Sequence, residues 1–205
     1  MKKNVLFAAA LVLSLGQTAS AATFTILFED DFDSTPNSLN ASLAHWNVTE
    51  GSVDVIGDRP MASYDFYPGN GNYVDMDGST GDAGRITTKQ VFDFVVGTAY
   101  RLYFTMGKNG GGFETLNFGF DFLANSITNE GVIPTMVDQY VDFTVASNVS
   151  SAIYFEGTGG DNEGMIVDNV ILKTLDPSVV PLPATLPLVL LGLGGLVSLR
   201  RRKNV

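Results

Sequence analysis

Three groups of residues in this 205-residue chain could carry chemistry, and carboxylates make up two of them. Glu29-Asp30-Asp31 close one apolar run, and Asp168 interrupts another. Strand alternation would give Asp168 the same face as Ile166, Val170 and Leu172. A carboxylate directed at an apolar layer must be paired, hydrogen-bonded or metal-bound, because an isolated charge is too costly to bury. Asp75 and Asp77 lie two residues apart, so a continuing strand would send both to one side as an oxygen-ligand pair. Their surroundings lack the third spaced acid and closing Glu of an EF-hand loop, and Gly78 to Gly84 reads as a turn in which Gly78 and Gly81 supply positive φ. The same pair invites comparison with the two carboxylates of a glycosidase. In so acidic a chain that comparison carries little information, and a non-enzymatic protein is the expectation.

The third group is aromatic. Tyr64, Phe66, Tyr67 and Tyr73 surround Pro68-Gly69, with Trp46 and Phe113 elsewhere. Aromatic loop residues stack on sugar rings while polar neighbours bond the hydroxyls. Tyr64, Tyr67 and Phe113 are expected to be the exposed, ligand-binding members, with Arg59, Asp65, Asn70 and Asn72 as polar partners. Trp46 and Tyr73 read as core. Gly107-Lys108-Asn109-Gly110-Gly111-Gly112-Phe113 lacks the Gly-Lys-Ser/Thr ending of a phosphate loop and reads as a hairpin connection.

Composition removes most catalytic designs. The chain has no cysteine and one histidine, His45, which excludes disulfides, thiolate sites and paired-histidine metal chemistry within it. Its net charge of −10 conceals a segregation. Six basic residues lie at the two ends, while between Glu29 and Asp176 six basic residues face 22 acidic ones, a balance of −16. Such a body repels phosphates, so nucleic acid is excluded as a partner.

The elements that must position these residues lie between two terminal signals. Lys2-Lys3, the apolar run Val5 to Leu15 and the small residues Ala19-Ser20-Ala21 are the three parts of a signal peptide, residues 1–21, for removal by signal peptidase. Residues 176–184 form a linker ending in Val180-Pro181-Leu182-Pro183-Ala184. An apolar stretch, 185–199, then reads as a transmembrane helix, and the basic cluster 200–205 would stay cytoplasmic. Proline motif, apolar helix and arginine cluster together resemble the PEP-CTERM type of sorting signal in its VPLPA variant, with Leu182 where Glu is usual. The resemblance implies recognition by an exosortase, a transient membrane anchor, and final residence at the cell surface or in the matrix of a bacterium that makes exopolysaccharide. A plain single-pass anchor is the alternative.

Residues 22–175 form one domain whose signals are strand signals. Leu116, Phe118, Phe120 and Phe122 alternate with smaller or polar residues, as do Val141, Phe143 and Val145. Further strands are expected at 24–28, 46–48, 53–56, 73–76, 85–92, 100–106, around Ile153-Phe155, and at 165–173, with no helix. Short, evenly spaced strands predict an all-β, antiparallel jelly-roll β-sandwich, with the first and last strands able to lie side by side.

The order Trp46-Asn47-Val48, Gly51 to Ile56, Asn72 to Gly81, Gly84-Arg85-Ile86 and Val167-Asp168-Asn169-Val170 is similar to that of exported bacterial β-sandwiches of the galactose-binding-like, carbohydrate-binding-module class. That resemblance implies a glycan partner, such as exopolysaccharide, and a structural Ca²⁺ held by Asp168 with Glu29 and Asp31. Carboxylate oxygens suit that ion. The alternative for Asp168 is a hydrogen-bonded loop cap. A module that binds itself or another protein is the rival functional reading.

Overall fold

The computed structural model describes residues 24–58 and 64–175, which are β-strand, turn and loop with no α-helix among them. The expected signal peptide, the Val180–Ala184 motif, the span 185–199, the basic tail and Arg59 all lie outside them. Thirteen strands occur: β1 (Ile26–Asp30), β2 (Trp46–Glu50), β3 (Asp54–Gly57), β4 (Asn72–Asp75), β5 (Arg85–Thr88), β6 (Phe92–Phe94), β7 (Ala99–Lys108), β8 (Phe113–Phe120), β9 (Leu123–Glu130), β10 (Ile133–Thr144), β11 (Val149–Ser151), β12 (Tyr154–Thr158) and β13 (Met165–Leu175).

Two antiparallel sheets make a jelly-roll sandwich. One has the order β10-β7-β13-β4-β3, and the other β2-β5-β12-β8-β9. Strand β13 pairs with β7 along one side; along the other it meets β4 first and then β1. First and last strands are thus neighbours, as expected. Between the sheets lies an aromatic core in which Phe104 of β7 packs edge-on to Phe155 of β12 and Phe118 of β8, at 5.0 Å and 4.8 Å. Trp46 sits within it, and its indole N–H donates to Asp30 at 2.8 Å, which meets the requirement that a buried indole find an acceptor.

Three local expectations are corrected. The glycine-rich run after β7 is not a hairpin connection: β7 and β8 belong to different sheets, so Asn109 to Gly112 crosses from one layer to the other. Gly81 does take positive φ (71°), whereas Gly78 does not. Gly78 is needed for closeness instead, since a Cβ there would stand 2.6 Å from the Ser52 side chain and 2.8 Å from the Val53 nitrogen. Asp168, finally, does not share a face with Val170 and Leu172. The β13–β7 register slips between Asp168 and Ile171, with Asn169 at φ 50°. This bulge puts Val167, Val170 and Leu172 together in the main core, while Ile166 belongs to a second cluster on the opposite face of the sheet.

Candidate functional site

Alternation along two short strands builds the floor of a cleft. Antiparallel pairing sets Asp54 opposite Asp75, Val55 opposite Val74 and Ile56 opposite Tyr73. The valines enter the main core, which leaves the aspartates, Ile56 and Tyr73 on the outer face. There Ile56, Tyr73 and Ile166 form a small second core with Tyr67, which arrives from the segment joining β3 to β4.

Two phenol hydroxyls fasten that segment to the sheet. Tyr73 Oη accepts the N–H of Phe66 at 2.7 Å and donates to the Asp65 carboxylate at 3.0 Å. Burial, with the Asp65 charge beside it, pushes the Tyr73 phenol far above its ordinary range, so it is always protonated. Tyr67 Oη accepts the N–H of Lys108 and donates to the Ile133 carbonyl, both at 2.7 Å. The Tyr67 ring lies where a side chain on Gly107 would stand, 2.4 Å from a Cβ placed there. Two aromatics of the segment stay outward, Tyr64 at 46% and Phe66 at 43% exposure.

Tyr64 and Phe66 form one wall of a cleft of about 280 Å³. Its other lining groups include Asp54, Asp75, Asn109, Asn162 and Glu163, drawn from β3, β4 and the loops after β7 and β12. Asn109 ties these parts together: its Nδ2 donates to Asp75 Oδ2 at 2.7 Å, and its Oδ1 accepts the N–H of Gly164. Asp75 Oδ1 accepts from the backbone of Asp77. Despite those two donors, burial wins, and the neighbouring Asp54 charge adds to it; the Asp75 carboxyl is pushed up to about 8. Asp54 is held by Asn40 and by both the backbone and the hydroxyl of Ser79. The cleft thus combines an aromatic wall with fixed amide and carboxyl groups.

Tyr64 is exposed, as expected, whereas Tyr67, also expected to be exposed, is not. Tyr67 is buried, because its hydroxyl reaches two backbone groups under the segment and its ring fills the space over Gly107. Phe113 is 69% exposed but does not line the cleft. Phe66, Asn109 and Glu163 were missed. The signal for Phe66 was its alternation with Tyr67 (one in, one out), while Asn109 was hidden inside a glycine run.

Of the acids nominated for calcium, Glu29 and Asp31 line another hollow with Asp30, His45 and Asn169, and Asp168 does not line it. Burial pushes Asp168 up to about 7, and the charges of Asp33, Asp31 and Asp30 add to this. Its two oxygens accept the backbone and side-chain N–H groups of Asn169, at 2.7 Å and 2.8 Å. Both Asp30 oxygens also have partners, Phe32 on one and Trp46 and His45 on the other, and Glu29 is exposed. Among the described residues no three Asp, Glu or His side chains form a metal-ligand group. The hydrogen-bonded alternative describes Asp168 in this structure, and no orphaned oxygen there asks for a cation.

The domain is therefore an antiparallel β-sandwich with a small aromatic and polar cleft where loops from both sheets meet. No family profile and no curated protein matches the sequence. Among solved structures, it is similar to the CBM22-1 xylan-binding domain from Paenibacillus barcinonensis Xyn10C, with a TM-score of 0.48 at 11% identity over 77% of this chain and 99% of that one. It is also similar to TmCBM61, solved with β-1,4-galactotriose, with a TM-score of 0.39 at 16% identity over 62% and 86%. Against the CBM22-1–GH10 modules of Clostridium thermocellum xylanase 10B, the TM-score is 0.46 at 14% identity over 78% and 30%.

Proposed function

We propose that this chain is a non-enzymatic exported protein, released by signal peptidase and sorted by an exosortase, whose sandwich associates with exopolysaccharide through the cleft beside Tyr64 and Phe66. The observation that carries the glycan reading is the exposure of two large aromatics on a segment that two buried tyrosine hydroxyls hold in place. Aromatic faces are costly to leave in water without a ligand, and a pre-formed wall binds without ordering costs. Asn162 and Glu163 line the same cleft and supply an amide and a carboxylate for hydroxyl groups, while Asn109 fixes the floor. The sorting part of the proposal stands on the tail motif alone.

Binding to the producing organism's polysaccharide, followed by titration, tests the reading. The Tyr64→Ala/Phe66→Ala double variant should lose at least about tenfold in affinity, since aromatic stacking contributes roughly 0.5–1.5 kcal/mol per pair beyond area burial. Affinity equal to wild type in that variant would remove the cleft as the binding surface. Concentration-dependent self-assembly without glycan affinity would favour the adhesive module instead.

A further inference from the structure

The two ends of the sandwich differ in character. Strand β7 starts at Ala99, paired there with Leu175, the last residue of β13. Ten residues on, β7 ends at Lys108 beside Met165, next to Asn109 and the cleft. At ~3.4 Å per residue the two ends stand roughly 30 Å apart. The strand that leads to the tail therefore ends opposite the cleft. The cleft end gathers Asp54, Asp75, Asp77, Glu114, Asp161 and Glu163 against Lys108.

The other end is apolar and poor in charge. Its β6–β7 turn presents Val95 and Val96, 49% and 53% exposed. Val91, just before β6, and Phe122, whose ring lies 5.3 Å from that of Phe94, are exposed as well. The turn is fixed by hydrogen bonds. The Thr98 N–H donates to the Val95 carbonyl, the Val95 N–H to Tyr100 Oη, and the Val96 N–H to Asn148 Oδ1 of the β10–β11 loop. Residues 94–100 and 143–155, which meet there, contain no charged residue, in a body whose balance is −16. Asp142 is held by Arg101 through two bonds, at 2.6 Å and 2.7 Å, and Lys173 lies across from Arg101. Two acids remain close by, Asp93, which accepts the Ser150 hydroxyl, and Asp121 next to Phe122.

Exposed aliphatic side chains held in place at an uncharged end mark an interaction surface. The chain itself indicates what covers it. Past Leu175, nine residues, 176–184, lead to the apolar stretch 185–199. Fully extended, nine residues reach no more than ~32 Å. With the cleft end turned toward a membrane that holds that stretch, the linker would have to run almost straight along the domain. We infer that, while the tail anchors the chain, the Val95–Val96 end rests on the lipid surface and the cleft faces away from it. Apolar area gains by entering the boundary between headgroups and acyl chains. Anionic headgroups also repel the carboxylates of the cleft end more than they repel an uncharged end. The inference rests on reading 185–199 as a membrane anchor, and not on glycan binding.

The test uses the full chain in vesicles of phosphatidylethanolamine and phosphatidylglycerol. Because the sequence has no cysteine, Val96→Cys and Phe113→Cys each accept a single fluorophore. Both sites are exposed, but Phe113 begins β8, whose other end leads to Phe122. Flotation with the vesicles reads the anchor, and quenching by lipid spin-labelled near the headgroup reads the docking. Quenching should be several-fold stronger at Val96→Cys than at Phe113→Cys. Adding Val91→Asp and Val95→Asp should bring it down to the Phe113→Cys level. In the unlabelled wild type, insertion into vesicles should slow hydrogen exchange at residues 95–98. Flotation with equal quenching at the two sites overturns the inference alone, as does quenching that survives both aspartates. Quenching that follows protein density instead of labelled lipid assigns this end to a second copy of the chain and overturns it too. A chain that does not float removes the anchor, and the inference with it.

Discussion

The two faces of the β3–β4 pair are built on opposite principles. Inward, Val55 and Val74 join a core of interlocking aromatics. Outward, one residue away along each strand, Asp54 and Asp75 sit opposite each other beside Tyr73 and Ile56. The inner face is stabilised by area and packing, which tolerate no gap. The outer face is held by hydrogen bonds of defined direction, which position Tyr64 and Phe66 but tolerate losses one at a time. The candidate cleft lies on the face where apolar packing is incomplete.

If that contrast holds, the largest loss of stability should come from the inner face. Phe155 is fully buried among Phe104, Trp46 and Phe118, with ring centroids 5.0 to 6.1 Å away. Phe155→Ala should cost about 3–5 kcal/mol, the sum of lost transfer energy and the cavity left behind. Denaturant titration measures it, and a loss under about 1 kcal/mol would show that the core collapses around the gap. Next comes the segment fastener. Tyr67→Phe keeps the ring over Gly107 but strips the N–H of Lys108 of the acceptor that the hydroxyl provides. A stability loss of roughly 1–3 kcal/mol is expected for an orphaned buried donor. Exchange protection at Lys108 should fall with it, and a silent variant would mean that the segment is held by apolar contact alone.

Alternation made the inner face legible in the sequence. The Phe-x-Phe pattern of β8, the apolar run of β13 and the lone Trp46 all pointed to the sandwich and lie in its core. Strand β9 escaped because its buried-side residues include Asn125 and Asn129, so the period of two carries no apolar signal. The 85–92 stretch read as one strand but is β5 followed by β6, which pairs with β11 instead of the larger sheet. The outer face was harder, for a physical reason. Tyrosine serves equally as core and as platform, and only long-range partners decide. Tyr67 finds two of them, 41 and 66 residues away, and Tyr64 lines the open cleft. The bulge at Asn169 was likewise invisible, because a register slip is set by the neighbouring strands and not by the residue itself.

The finest distinction between the faces is electrostatic, and pH should expose it. Asp75 is pushed up to about 8 and Asp168 to about 7, chiefly by burial. In the unfolded chain both carboxyls titrate near their ordinary value of about 3.9. Between about pH 4 and 8 the folded protein therefore holds protons that the unfolded chain has released. Stability is then greatest below about pH 4 as far as these two groups are concerned, and it falls as pH rises toward 8. Asp75→Asn removes one of the two titrations and leaves an oxygen to accept the Asp77 N–H, but turns its amide N–H groups toward the donating Asn109 Nδ2. That mismatch costs the variant the same at every pH, so the quantity to read is the slope with pH, the smallest effect of the three. As pH rises it should gain on wild type, because the cost of holding a proton on Asp75 rises in wild type alone. Melting temperatures of the two proteins across that range supply the comparison. Parallel pH profiles would mean that Asp75 is solvated well enough to ionise, and the outer face would then be a wet surface rather than a second, polar core.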